Sequence, residues 1–93
     1  MKKPMDAKII EAWELYRQQR KIETRKTIQR NIKEIRVKKG ETQAVVAKVL
    51  GVSKTTVASW EQGLSLPDLP TLSLLALYFE VDVNDFLPKY APD

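Results

Sequence analysis

Ser53, Lys54, Thr55 and Thr56 bring three hydroxyls and one ammonium together at the head of the stretch GVSKTTVASWEQG, Gly51 to Gly63. Ser59 adds a further hydroxyl one turn later, beside Trp60. The chemistry open to this set is hydrogen bonding and charge recognition, not bond making. Hydroxyls at a helix start either cap backbone N–H groups or face outward toward a ligand. The positive end of the helix favours phosphate. Two of the usual groups for covalent or acid–base work are missing, because the chain has no histidine and no cysteine. That removes the commonest general base, any thiolate metal site and any disulfide framework. Neither a P-loop nor a Gly-rich dinucleotide fingerprint occurs, and the carboxylates form no pocket signature. No enzymatic activity, metal, cofactor or small-molecule ligand is expected.

A chain of 93 residues supports one small domain with a single core. Its 43% hydrophobic and 30% charged residues fit a globular fold. No apolar run approaches the ~18 residues of a membrane span, and the N-terminus lacks the apolar core of a signal peptide. The default expectation is therefore cytoplasmic, without membrane association. The net charge of +4 is unevenly spread. Residues 1–41 hold 13 Lys and Arg against 6 Asp and Glu, whereas residues 42–93 hold 3 against 6. A basic N-terminal part suits a polyanionic partner, or a solvated charged helix.

The elements that must position these residues read as helices. Ile9, Trp13 and Tyr16 fall at helical spacing behind Asp6, a suitable N-cap. Residues 17–31 are basic and poor in apolar side chains, and either continue that helix or act as a hinge. From Ile28 the apolar pattern resumes through Ile32 and Ile35 and stops at Gly40. Thr42 caps a helix over Gln43–Leu50, and Ser53 caps the next, which ends at Gly63. Asp68 caps a helix carrying Leu72, Leu75, Ala76 and Phe79 on its core face. A last short helix covers about 83–87. No segment alternates like a strand, so the class is all-α.

Two short helices joined by Gly51-Val52-Ser53 have the spacing of a helix-turn-helix. Ala47 lets the helices approach, Gly51 can take the positive φ of the turn, and Val46, Leu50, Val52, Val57 and Trp60 can lock the pair. Trp60 shares a face with Val57 and reads as a core anchor.

On these residues the chain resembles the helix-turn-helix domain of the phage repressor and Cro type. The matching segments within residues 32–87 are IKEIRVKKGETQ, VAKVLGVSKTTVASWEQG, LPDLPTL and VDVNDFL. The resemblance implies a five-helix repressor-like DNA-binding domain, here with an additional N-terminal helix, whose third domain helix (54–62) enters the DNA major groove. It implies a phosphate contact for Gln43, base reading by Lys54, Thr55 and Ser59, and a position near phosphate for Thr56. Ser53, chiefly an N-cap, and Gln62 complete the implied DNA-binding set. Arg36 and Glu61 match a pair that forms a buried salt bridge. Lysine can donate to guanine O6 and N7, and threonine can pack on a thymine methyl.

Three features depart from that pattern. Leu64 and Ser65 stand where relatives carry cations for the DNA backbone, and Glu80 stands at a helix end where glycine is usual. Val45, Val49, Leu74 and Leu77 place apolar side chains on normally polar faces, where they either complete a thick core or form patches. The Ile9–Trp13–Tyr16 helix is expected to dock on one such patch, in its own domain or in a second chain. The organisation expected is an N-terminal helical extension (1–28), a helix-turn-helix domain (29–88) and a short tail (89–93).

The leading expectation is a sequence-specific regulator of transcription, a repressor that binds double-stranded DNA as a homodimer. Arg17, Arg20, Lys21, Arg25, Lys26 and Arg30 are candidates for further phosphate contacts, or a solvated connector. The alternative is an antitoxin-like or adaptor module that meets a protein partner through its N-terminal helix, with DNA binding secondary.

Overall fold

In the computed structural model, which describes residues 6–89, Asp6 accepts the Ile9 N–H at 2.9 Å and opens a helix, α1, that runs unbroken through Ala7–Lys38. The choice between continued helix and hinge at residues 17–31 is thereby decided. The segment holds no Gly or Pro, and its Arg, Gln, Lys and Glu side chains lose little freedom in a helix. Once Ile28 and Ile32 are packed, the helix extends from that nucleus at little cost. The expected additional N-terminal helix is thus not a separate element but the first half of α1, and the boundary expected at residue 28 falls inside it. At 1.5 Å per residue, 32 residues span about 48 Å. This sets the long dimension of the 51 × 27 × 20 Å molecule.

Three further helices follow: α2 (Gln43–Leu50), α3 (Lys54–Gln62) and α4 (Leu69–Phe79), then a 3-10 turn at Val83–Phe86. Four α-helices and this turn therefore supply the five domain elements expected, and no strand occurs among the described residues. Each start is capped as the residue types suggest. Thr42 accepts the Val45 N–H at 3.2 Å, Ser53 that of Thr56 at 3.1 Å, and Asp68 that of Thr71 at 2.9 Å. Gly51 ends α2 at φ 73°, where a Cβ would meet its own backbone. The Val52 N–H then folds back onto the Ala47 carbonyl at 3.0 Å. Glu80 ends α4 in the same left-handed conformation at φ 58° without glycine's freedom.

The core gathers Ile28 and Ile32 of α1, Val46 and Ala47 of α2, and Val57 and Trp60 of α3. Leu72, Leu75, Ala76 and Phe79 of α4 complete it, with Phe86 from the terminal turn. Phe86 is fully enclosed, and its carbonyl accepts a hydrogen bond from Asn31 Nδ2 at 3.2 Å. The turn is thereby tied to α1 across most of the chain.

Every residue from Ala7 to Glu23 is exposed. The expectation that this helix docks on its own domain is overturned: Trp13 is 57% exposed and stacks only on Tyr16 of the same helix, centroids 5.3 Å apart. A straight helix leaving the core tangentially carries its first half beyond reach of the other elements. Val45, Val49, Leu74 and Leu77 also remain exposed, so the two leucines do not thicken the core. Apart from Lys89, the expected tail lies outside the described residues, as do residues 1–5. No described helix is long and apolar enough to cross a membrane.

Candidate nucleic-acid interface

Helix α3 is divided lengthwise. Val57, Trp60 and Glu61 are buried against the core, whereas Lys54, Thr55 and Gln62 are exposed and Thr56, Ala58 and Ser59 half-buried. The outward stripe therefore runs Lys54, Thr55, Ala58, Ser59, Gln62, the i, i+1, i+4, i+5, i+8 spacing of one helix face. Ala58 was not singled out in the sequence, although its position four residues after Lys54 signals it. Its methyl can contact a thymine methyl.

Behind this face, beside the buried Val57 and Trp60, lies an ion pair. Arg36 of α1 donates from Nε to Glu61 Oε2 at 2.6 Å and from its terminal nitrogen to Glu61 Oε1 at 2.9 Å. A further Arg36 nitrogen donates to the Glu41 carbonyl at 2.8 Å. The side chains are 12% and 3% exposed respectively, so the pair expected from the sequence is present and largely desolvated. Burial pushes the Glu61 carboxyl up. Hydrogen bonds from Arg36 and Gln43, with the charges of Arg36 and Lys33, outweigh this and hold it below its ordinary value. The hydrogen bond to Glu61 in turn raises the Arg36 guanidinium, against the opposing effect of burial. The fork-shaped contact also fixes the rotation of α3 about its axis, because both nitrogens must be met at once.

Several expected contact residues have partners within the chain. Gln43, to which the family resemblance gives a phosphate contact, donates from Nε2 to Glu61 Oε1 at 3.1 Å and so belongs to the ion-pair cluster. The Ser53 and Thr56 hydroxyls are hydrogen-bonded at 2.8 Å. Ser59 shares a 2.6 Å hydrogen bond with Ser65, a partner whose position depends on the turn after Gly63. Lys54, Thr55 and Gln62 stand free at the surface.

All six candidate phosphate-contact cations of α1 are exposed. Lys21, Arg25 and Lys26 line one groove with Gly63. Arg20, Lys21 and Arg25 line a second with Leu66. Arg17 and Arg30 border neither. Among the described residues no group of His, Cys, Asp and Glu could hold a metal ion.

An all-α domain that buries one face of a short helix behind a turn and presents the other defines a helix-turn-helix DNA-binding domain of the kind used by transcriptional regulators. A helix-turn-helix family model matches residues 32–86, and the chain belongs to this family, of the XRE type. It is 30% identical over 56 residues to the HTH-type transcriptional activator BcrR of Enterococcus faecalis, covering 60% of this chain and 28% of that protein. It is 40% identical over 53 residues to the ImmF control region 10 kDa protein of Bacillus phage phi105, covering 57% of this chain and 59% of that one. The chain thus spans less than two thirds of either relative. Among solved structures, the LexA SOS-response transcriptional repressor of Eubacterium rectale superposes with a TM-score of 0.67 at 25% identity, over 76% of this chain and 82% of that one.

Proposed function

We propose that the chain is a sequence-specific regulator of transcription that binds double-stranded DNA as a homodimer and represses by occluding a promoter. Helix α3 enters the major groove, Lys54 and Thr55 read base edges near its N-terminus, and Ala58 and Ser59 add contacts one turn later. Ser59 reads by exchanging its Ser65 hydrogen bond for one to a base. Gln43 approaches a phosphate with the amide hydrogen that Glu61 does not take. The observation that carries this reading is the outward stripe of α3, free at Lys54 and Thr55 while the reverse face is pinned through Glu61 to α1. Repression is favoured over activation by likeness to the LexA repressor structure, although another relative is an activator. Selection of duplexes from a random library tests the reading. It should return two related half-sites about 34 Å apart on the DNA. Recovery of unrelated sequences would count against it.

A second reading rests on the exposed Ile9, Trp13 and Tyr16, which favour a protein partner. In that case the chain is an antitoxin-like or adaptor module and DNA binding is secondary. Absence of binding to a mixed-sequence duplex at low salt would select this reading.

A further inference from the structure

The turn after α3 carries no cation with which to hold a DNA phosphate. Its side chains are Leu64, Ser65 and Leu66, with Leu64 71% exposed. Three of its backbone donors are spent within the chain. The Gly63 N–H donates to the Trp60 carbonyl at 3.3 Å, and those of Leu64 and Ser65 donate to the Ser59 carbonyl at 3.0 and 3.4 Å. A phosphate beside the C-terminal end of α3 would find no cation on this turn, and no free amide from Gly63 to Ser65.

Helix α1 passes directly over the same spot. Gly63 has φ +75°, and a Cβ added there would meet the side-chain amide of Gln29, so a side chain of α1 lies against the end of α3. From Gln29 the same face of α1 continues outward through Arg25 and Lys21, about 6 and 12 Å further along the axis. Lys21, Arg25 and Lys26 line an open groove of about 470 Å³ whose other wall is Gly63. Around the turn, Arg20, Lys21 and Arg25 line an adjoining groove of about 400 Å³ with Leu66. The ion pairs among the described residues are Arg36–Glu61 and Lys89–Asp85, so no carboxylate neutralises these cations. Glu23, the one acid between residues 17 and 30, lies outside both grooves.

We infer that Lys21, Arg25 and Lys26 of α1 form a phosphate-binding groove that supplies, from a different helix, the cationic backbone contact the turn after α3 lacks. The ligand is the phosphodiester strand bordering the major groove that α3 occupies. The inference rests on the proposed DNA binding. It separates the candidate cations by position: those beside Gly63 act, whereas Arg30 does not. Long Lys and Arg stems on a helix can reach a phosphate beyond the turn, and Gly63, with no side chain, leaves the groove between them open.

The test is the salt dependence of binding to the duplex recovered by selection from a random library, with thermal melts to verify folding. The K21Q/R25Q/K26Q chain should lose about 2 to 3 from the magnitude of the slope of log K against log salt, near 0.9 for each phosphate released. Its ranking of operator sequences should not change. The R30Q/K38Q/K39Q chain loses the same charge elsewhere and should keep the wild-type slope. Leu64→Lys should restore about 0.9 of slope in the neutralised chain and add much less to the wild type, where the contact is already made. Equal slopes for the wild-type and groove variants would overturn the groove while leaving DNA binding intact. An equal loss in both charge variants would do the same, by showing a net-charge effect alone. Failure of the wild-type chain to bind any duplex would overturn the groove and the proposed function together.

Discussion

Arg36 and Glu61 meet edge to edge, with Nε to Oε2 at 2.6 Å and the terminal nitrogen to Oε1 at 2.9 Å, joining the base of the long first helix to the buried side of α3. The contact ties α1 to α3, and it does so on the face of α3 that Val57 and Trp60 also bury. Gln43 adds a third donor to the same carboxylate, so α1, α2 and α3 converge on one buried charge.

Removing one partner should be costly, because the other is left desolvated and unpaired. Arg36→Met is expected to destabilise the fold by about 3 kcal/mol, while Arg36→Met combined with Glu61→Leu should recover much of that loss. Urea titrations of the single and double variants measure the difference. A double variant as unstable as the single would mean that Arg36 contributes mainly through its hydrogen bond to the Glu41 carbonyl.

The same carboxylate makes stability pH-dependent. Glu61 is held below its ordinary value of 4.5 in the folded chain. As pH falls below that value, the unfolded chain takes up a proton that the folded chain still resists. The stabilisation is therefore complete above about pH 4.5 and is lost as pH falls through the lower, folded value. Urea midpoints between neutral pH and this acid range should fall for the wild type and fall less for Glu61→Gln.

At the surface of α3, Lys54→Ala and Thr55→Val should leave the melting temperature almost unchanged, since both side chains are exposed. Each should relax discrimination at one base step by about 1–3 kcal/mol, read by competition between operator variants. A uniform loss of affinity across sequences would instead assign the residue to phosphate.

The two left-handed helix ends should respond in opposite directions. Glu80 holds φ 58° with a Cβ that this conformation disfavours, so Glu80→Gly should stabilise by about 1 kcal/mol. For a domain of this size that corresponds to a rise of about 4–8 °C in Tm. Gly63→Ala should destabilise through backbone strain at φ 75°, since the Gln29 amide it would meet ends a flexible side chain that can move aside.

Tryptophan emission reports on the projecting helix. With Trp60 buried, a Trp60→Phe variant leaves Trp13 as the sole indole, and its emission should be that of a solvent-exposed ring at low protein concentration. A concentration-dependent blue shift should accompany dimerisation through the Ile9–Trp13–Tyr16 face. Sedimentation showing a dimer with unchanged emission would place the dimer contact elsewhere.

Much of this protein follows from local rules and is legible in its residues. Asp6, Thr42, Ser53 and Asp68 cap helices because each can bond an N–H two or three residues ahead in the chain. Gly51 makes the turn because it alone there takes positive φ without strain. The α2–turn–α3 unit and the outward position of Lys54 and Thr55 follow from spacing at 3.6 residues per turn. Other features required the tertiary structure, because they join residues far apart in sequence. Composition left residues 17–31 as helix or hinge, and packing of Ile28 and Ile32 made them helix. Ser59 and Gln43 face partners, Ser65 and Glu61, that only the folded turn and the helix crossing bring near. Phe86 becomes a core residue through the closure of the terminal turn onto α1. The cations of α1 lie beside Gly63 because the direction in which a long helix leaves the core depends on how its last turns are packed, which no local pattern encodes.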